Sequence, residues 1–499
     1  MLVRVQVPSP PGPRMCTPPK TKDCFGLQTS KFVEKLGQAG VFIFLSLSEF
    51  YQLLNHFLTP FVVLVCGFFF LFSFCLISRT VSVRPILASD ASFIPAFSVA
   101  HAGLISLVLV HLSFIFLSNP EPVSEAYDFQ LIGSSHTFVF KFLIDISYLF
   151  FLLALPSQFL AFEFLALTFL SYTASLVLFE SADLISFFVL LELQTIPGYV
   201  LLALKPNSLP SLLASMNYFI LGASSTLLTL LGLGFLYGIT GLTDFYSLSI
   251  FLTSLENFYP ASPLHFPLKL AFFFLMTSFL FKFGLFPFQT WLVQVYSVGY
   301  LPALFFLSWV PKLSLATMFF FLWGVYFSSF FYQIQPFLLV FGLASTLGGG
   351  IFALLAPNLN LILAYLAVSS GGFLFLLFSA SCDPVFSTIS IAYAVYSISL
   401  AVPLVLFLLL ADPHQTSYPH LALPSLSQLK SASGVIATSL AGVFYAVAGL
   451  PPTVGFWLKL FAAYFLSISI GFPIAFLSLL VISLLNLFLF LRILSALFF

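Results

Sequence analysis

The sequence predicts an all-α integral membrane protein with about 13–14 transmembrane helices. Three observations predict it. Hydrophobic residues make up 61% of the chain and charged ones 6%, against about 25% charged in soluble domains. Apolar runs of about 20 residues recur, each long enough to cross a hydrocarbon core of about 30 Å as a helix. Strand alternation is missing, which argues against a lipid-embedded barrel. The sixteen basic and sixteen acidic residues cancel, so the charge balance implies no nucleic-acid partner.

The chain opens on a polar, Pro-rich extension, residues 1–40. It carries Arg4, Arg14, Lys20, Lys22, Lys31 and Lys35 against Asp23 and Glu34. It lacks the short basic region and single apolar core of a secretory signal, and reads as a transit-like or surface-lying segment. Residues 41–58, interrupted by Glu49 and His56, read equally as an interfacial helix or a span. Spans are expected at 60–79, 94–118, 136–155, 158–180, 182–204, 211–238, 266–288, 300–326, 334–356, 360–380, 386–411, 432–468 (broken) and 472–493. The longest connections are 119–135, 239–265 and 412–430. None of them is long and polar enough to form a soluble catalytic domain. Gly284-Leu285-Phe286-Pro287 and Gly449-Leu450-Pro451-Pro452 each interrupt an apolar segment, with a Trp and a Lys nearby. Paired interruptions of this kind mark inverted-repeat transporters, with coincidence as the competing explanation.

The functional expectation rests on charge where lipid should be. A lysine at the centre of a membrane helix costs roughly 3 kcal/mol or more, so it is a functional candidate by default. Lys282, Lys312 and Lys459 are three such lysines, and Glu192 is a matching carboxylate at the centre of 182–204. Pro287 lacks an N–H and its ring clashes with the Phe283 carbonyl, so the helix should open beside Lys282. Snorkelling to the interface is the competing reading for Lys282 and Lys459. Lys312 follows Pro311 at mid-span, where snorkelling is hard. Burial favours a neutral amine and a nearby carboxylate favours the ammonium, so a Glu–Lys pair of variable separation is a proton switch.

The remaining charges read as structural. Lys141 and Asp145, four apart on one helix, are expected to neutralise each other. Asp183 opens a helix, where the dipole favours a carboxylate. Glu163, Glu180, Lys205, Lys269 and Arg492 lie near span ends, within reach of headgroups. The five cysteines (Cys16, Cys24, Cys66, Cys75, Cys382) show no metal-ligand spacing and read as small buried hydrophobes. His101 and His111 share a span without a matching pair elsewhere, which disfavours a bis-histidine haem. His414 and His420, with Asp412, read as a solvated loop. No GxGxxG, P-loop or cysteine cluster is present, so no redox centre is expected in this chain.

These motifs resemble subunit 2 of mitochondrial NADH–ubiquinone oxidoreductase (complex I), a family related to multisubunit cation/proton antiporters. The matching stretches are Ala161-Phe-Glu-Phe, Ala182-Asp-Leu-Ile-Ser, Leu191-Glu-Leu-Gln-Thr, Asn217-Tyr-Phe-Ile-Leu-Gly-Ala-Ser-Ser, Tyr237-Gly-Ile-Thr-Gly, Phe281-Lys-Phe, Val310-Pro-Lys-Leu-Ser and Ala448-Gly-Leu-Pro-Pro-Thr-Val-Gly-Phe. They cover residues 158–499 in order; the first 60 residues match poorly. The resemblance implies N-terminal helices over 41–155, one antiporter-like repeat over 158–326, and a second over 334–493 with a broken helix near 449–455. It implies proton pumping in the mitochondrial inner membrane, with Glu192 modulating, Lys282 central, Lys312 connecting and Lys459 on the exit side. NAD, FMN, iron–sulfur clusters and ubiquinone would be held by other subunits. Partners would be the other membrane-arm subunits, including a neighbouring antiporter-like one, and phospholipids.

The chain also departs from the family pattern. Gln289 stands where a histidine is usual, Gln294 for an aspartate, Asn217 for a lysine, Ser370 for a histidine, and Asn360-Leu361 for a basic pair. A further C-terminal helix, usual beyond Arg492, would be supplied by another subunit. A stand-alone cation/proton antiporter and a membrane-arm scaffold with a degenerate channel stay open as alternatives.

Overall fold

Apolar segments in lipid find no water for their amides and must close their hydrogen bonds internally, so they fold as helices. The computed structural model describes residues 131–155, 162–178, 180–205, 208–258, 264–379, 434–451 and 472–498, with shorter stretches around 104–111, 123–126 and 453–466. The expected extension 1–40, the segment 41–58, and the spans 60–79 and 386–411 lie outside these residues.

Strands β1 (Val123–Ala126) and β2 (Leu131–Ser134) pair antiparallel and lead into α1 (Ser135–Ala154). Four-residue strands are too short to show alternation, so the sequence predicts only a connection here. Then follow α2 (Phe162–Leu178), α3 (Leu184–Ala203), α4 (Leu209–Thr240) and α5 (Phe245–Phe258). Helix α5 falls in a stretch read as a loop. Its 14 residues are too few to span, but Phe245, Leu248, Leu252 and Leu255 form a buried helical stripe.

The expected break appears next. Helix α6 (His265–Phe283) stops at Gly284, and α7 (Thr290–Val298) resumes after Pro287. Helix α8 (Leu301–Phe320) continues into a π-helical turn at Phe321–Tyr326. Helices α9 (Phe331–Leu355) and α10 (Leu359–Ser379) follow, then α11 (Gly434–Ala448) and α12 (Phe472–Phe498). Among the described residues seven helices are long and apolar enough to cross a membrane, which makes the chain a multi-pass membrane protein.

Helices α8 and α10 are almost wholly buried and form the middle of the bundle. Helix α8 packs on α1, α2 and α3, and α7 packs on α4 and α10. Helix α4 turns Leu212, Met216, Phe219, Leu227 and Leu230 outward. Helices α9 and α10 meet at small residues. A Cβ on Gly349 would lie 2.8 Å from the Ser369 nitrogen and the Tyr365 oxygen, and one on Gly372 would lie 2.8 Å from the Thr346 nitrogen. Only a bare Cα allows the two backbones to come this close, as at small-residue seams between membrane helices.

Candidate functional site

The break after α6 builds the site. Gly284 has φ 70°, a conformation that costs a side chain but not glycine. Its N–H donates to the Phe281 carbonyl (2.9 Å) and that of Leu285 to the Leu280 carbonyl (2.9 Å), the pairing of a Schellman termination. The Trp291 indole on α7 also donates to the Phe281 carbonyl, at 3.0 Å. Lys282 is thereby fixed in the last turn of α6, where the helix dipole favours a cation.

Its ammonium donates to Oε1 of Glu192 on α3 at 3.2 Å. The lysine side chain is 4% exposed and that of the glutamate 20%. The sequence-predicted pair is therefore made, and Lys282 points into the bundle rather than snorkelling. Lys312 on α8 lines the same cavity together with Gln194, Thr195, Tyr199, Tyr218, Trp291 and Tyr296. The cavity offers about 40 Å³ to the centres of water molecules, room for a few of them. The Lys312 ammonium lies 5.9 Å over the Tyr296 ring, and among the described residues it has no ion-pair or hydrogen-bond partner. The aromatic wall continues through Tyr218, stacked on Trp291 at 4.4 Å and edge-on to Tyr199 at 4.5 Å. Sequence reading missed these tyrosines, because an aromatic residue in an apolar helix carries no mark of facing water.

Gln194 closes one side. Its amide nitrogen, with two hydrogens to donate, lies within hydrogen-bond reach of Ser175 Oγ on α2 (3.1 Å), the Pro311 carbonyl (3.1 Å) and Ser314 Oγ on α8. Asn217 and Gln294, two uncharged departures from the family pattern, meet each other: Asn217 Nδ2 donates to Gln294 Oε1 at 3.3 Å. The structure does not bring Lys459 into this cavity. Its ammonium donates to the Ala448 carbonyl at 2.6 Å, the last residue of α11 before Gly449 (φ 70°). There it satisfies the second helix break.

Several charged residues sit otherwise than their sequence positions predict. Lys141 and Asp145 do not neutralise each other. Lys141 pairs with Glu180, and Asp145 accepts hydrogen bonds from Tyr172 Oη (2.6 Å) and lies 2.7 Å from His111 Nδ1. Glu180 is 1% exposed and cannot reach headgroups. The i,i+4 rule failed because α1 is packed on both sides, so partners across helices displaced the one along the helix. Lys205 donates to the Val298 carbonyl at 3.0 Å, and Arg492 donates to the Leu354 carbonyl. Both satisfy helix C-termini rather than headgroups. Glu163 and Lys269 are exposed, as expected. Asp183 precedes α3 and pairs with Asp244 in a short bridge; burial, and then the Asp244 charge, hold its carboxyl above the ordinary aspartate range. Among the described residues no group of three or more His, Cys, Asp or Glu is placed to hold a metal.

Residues 181–489 match the family model described as NADH:quinone oxidoreductase/Mrp antiporter, TM. The chain belongs to this antiporter family. Among its relatives, the NADH-ubiquinone oxidoreductase chain 2 of Oenothera berteroana is 29% identical over 63% of this chain and 62% of its own length. The NADH-quinone oxidoreductase subunit N of Pelagibacter ubique is 28% identical over 60% and 61%. The chain thus spans less than two thirds of these relatives. Subunit N 1 of Thermodesulfovibrio yellowstonii is 26% identical over 74% and 80%. The antiporter-family fold recurs in a chain of respiratory complex I from Thermus thermophilus (TM-score 0.66, 20% identity, 87% of this chain and 90% of that one). It recurs also in the Mrp complex from Dietzia sp. (TM-score 0.69, 17% identity, 89% and 80%).

Proposed function

We propose that this chain is a proton-translocating subunit of the membrane arm of respiratory complex I, in the mitochondrial inner membrane. The observation that carries the reading is the Lys282–Glu192 pair beside a cavity that Lys312, without an ion-pair partner among the described residues, also lines. A proton on Lys282 is held while Glu192 stays close. When the carboxylate withdraws, the amine releases it to water in the cavity, and Lys312 is the next group able to accept it. Lys459, at the second break, is the exit-side group. The two breaks, after Phe283 and after Ala448, would belong to repeats over 158–326 and 334–493. Energy would come from NADH oxidation and ubiquinone reduction on other subunits, which would hold the NAD, FMN, iron–sulfur clusters and ubiquinone. Neighbours would be a second antiporter-like subunit and phospholipids.

The test is Lys282→Met in the complex reconstituted into vesicles. A lower proton yield per electron at normal assembly is expected; an unchanged yield removes Lys282 from the mechanism. The family name and the Dietzia fold likeness also admit a cation/proton exchanger. The chains that co-purify with this one discriminate: redox subunits favour the first reading, antiporter subunits alone the second.

A further inference from the structure

Outside the Lys282 cavity the structure holds a second buried set of ionisable side chains. Lys141 and Asp145 come from α1, Tyr172 from α2, Glu180 from just beyond α2, and His111 from the helical segment that includes Leu104 and Val108. All are sealed: His111 and Glu180 are 1% exposed, Lys141 4%, and Asp145 and Tyr172 0%. Two contacts define the set, the Lys141–Glu180 ion pair and the Asp145 carboxylate bridging His111 Nδ1 (2.7 Å) and Tyr172 Oη (2.6 Å). Tyr148, stacked on Tyr172 at 4.1 Å, completes it.

The charge count is unbalanced. Among the described residues two carboxylates face one ammonium, and a net charge sealed from water is costly. Among the described residues the His111 imidazole is the neighbour with a nitrogen that can take up a proton. One proton taken up on the ring, already within hydrogen-bond reach of Asp145, makes the set neutral. Glu180 Oε2 has no hydrogen-bond partner among the described residues, which leaves acceptor capacity on the other side of the same set.

One face of α2 borders both this set and the cavity. Thr168, Ser171, Tyr172 and Ser175 stand at i, i+3, i+4 and i+7 on α2, one face of an otherwise apolar helix, and each is 0% exposed. Tyr172 holds Asp145 at one end. At the other, Ser171 Oγ donates to the Gln194 main-chain carbonyl (2.9 Å) and Ser175 Oγ accepts from the Gln194 side-chain amide (3.1 Å). Gln194 is part of the wall that encloses Lys282 and Lys312.

We propose that His111, Asp145, Lys141 and Glu180 form a second proton-holding site, which exchanges one proton with the Lys282 cavity along the hydroxyl stripe of α2. The site rests on the pumping role proposed above and adds a lateral store to it. Each transfer moves a single proton: His111 gains it as the set becomes neutral and gives it up as the set returns to one net negative charge.

The test uses the assembled complex in vesicles and three variants. Asp145→Asn keeps packing volume and removes the carboxylate that leaves the set one negative charge in excess. Tyr172→Phe removes one oxygen from a stacked ring and cuts the stripe. Lys282→Met serves as reference. If the second site carries protons, Asp145→Asn and Tyr172→Phe both lose the proton yield per electron that Lys282→Met loses, at normal complex content. If the set is a structural clamp, both variants pump at the parental yield while Lys282→Met does not, and the proposal is overturned. Should Asp145→Asn fail to assemble, Tyr172→Phe decides alone. Parental pumping by Lys282→Met instead overturns the pumping role itself, so the two failures are separable.

Discussion

Arginine at position 282 separates the ion pair from the proton it is proposed to exchange. At 3.2 Å and an effective dielectric near 20, two unit charges attract by about 5 kcal/mol. That offsets a desolvation cost of several kcal/mol per buried ion. Lys282→Arg keeps this attraction, because a guanidinium stays charged and reaches a carboxylate with two donors. It does not give up its proton under protein conditions. The expected phenotype is therefore a complex that assembles and melts close to the parent but pumps fewer protons. Lys282→Met removes the attraction and leaves a four-fifths-buried carboxylate alone, and breaking such a pair costs about 3–5 kcal/mol. Its thermal stability should fall together with its pumping. The assay is NADH-driven proton translocation in proteoliposomes with an internal pH dye, normalised to electrons transferred and to complex content. Lys282→Arg pumping at the parental yield would refute the switch, because a permanently charged residue cannot take turns with Glu192.

Other substitutions test the scaffold. Gly372→Leu would push a branched side chain into the Thr346 backbone at the α9–α10 seam, and overpacking of this kind costs about 1–3 kcal/mol; thermal melts of the purified complex read it, and an unchanged melt would deny the close seam. Arg492→Ala leaves the Leu354 carbonyl without its charged donor, a loss of about 1.5–3 kcal/mol, and hydrogen exchange should quicken in the last turn of α9 but not in its middle. The raised Asp183 carboxyl means the folded chain holds more protons than the unfolded one just above the ordinary aspartate range, near pH 4. Stability therefore falls as pH rises through that window, and Asp183→Asn should flatten the slope; a parental slope in the variant would assign it to another group.

What the sequence could reveal followed from cost. Lys282, Glu192 and Lys312 are expensive in lipid wherever their helices sit, so their positions marked them as candidates before any packing was known. The breaks at Gly284 and Gly449 were legible for a local reason, since proline cannot continue a helix and glycine tolerates the left-handed turn. Partner choice was not legible. Lys141 pairs with Glu180 and not Asp145 because helices from distant parts of the chain set the neighbours, and nothing in the spacing along α1 encodes them. Lys459 shows the same limit: its charge was visible, but its engagement with the Ala448 carbonyl depends on how the chain turns at Gly449. The aromatic wall of Tyr199, Tyr218 and Tyr296 was hidden because tyrosine is ordinary in a membrane core.

The Gln194 crossing carries one more consequence. A carboxamide orients water and ties three helices together, but unlike an imidazole or an amine it has no protonation step near neutrality. It therefore connects without holding charge itself, so a proton exchanged between the two sets would rest on one side or the other and never on the bridge. Two sets joined by such a bridge would be able to fill and empty out of phase.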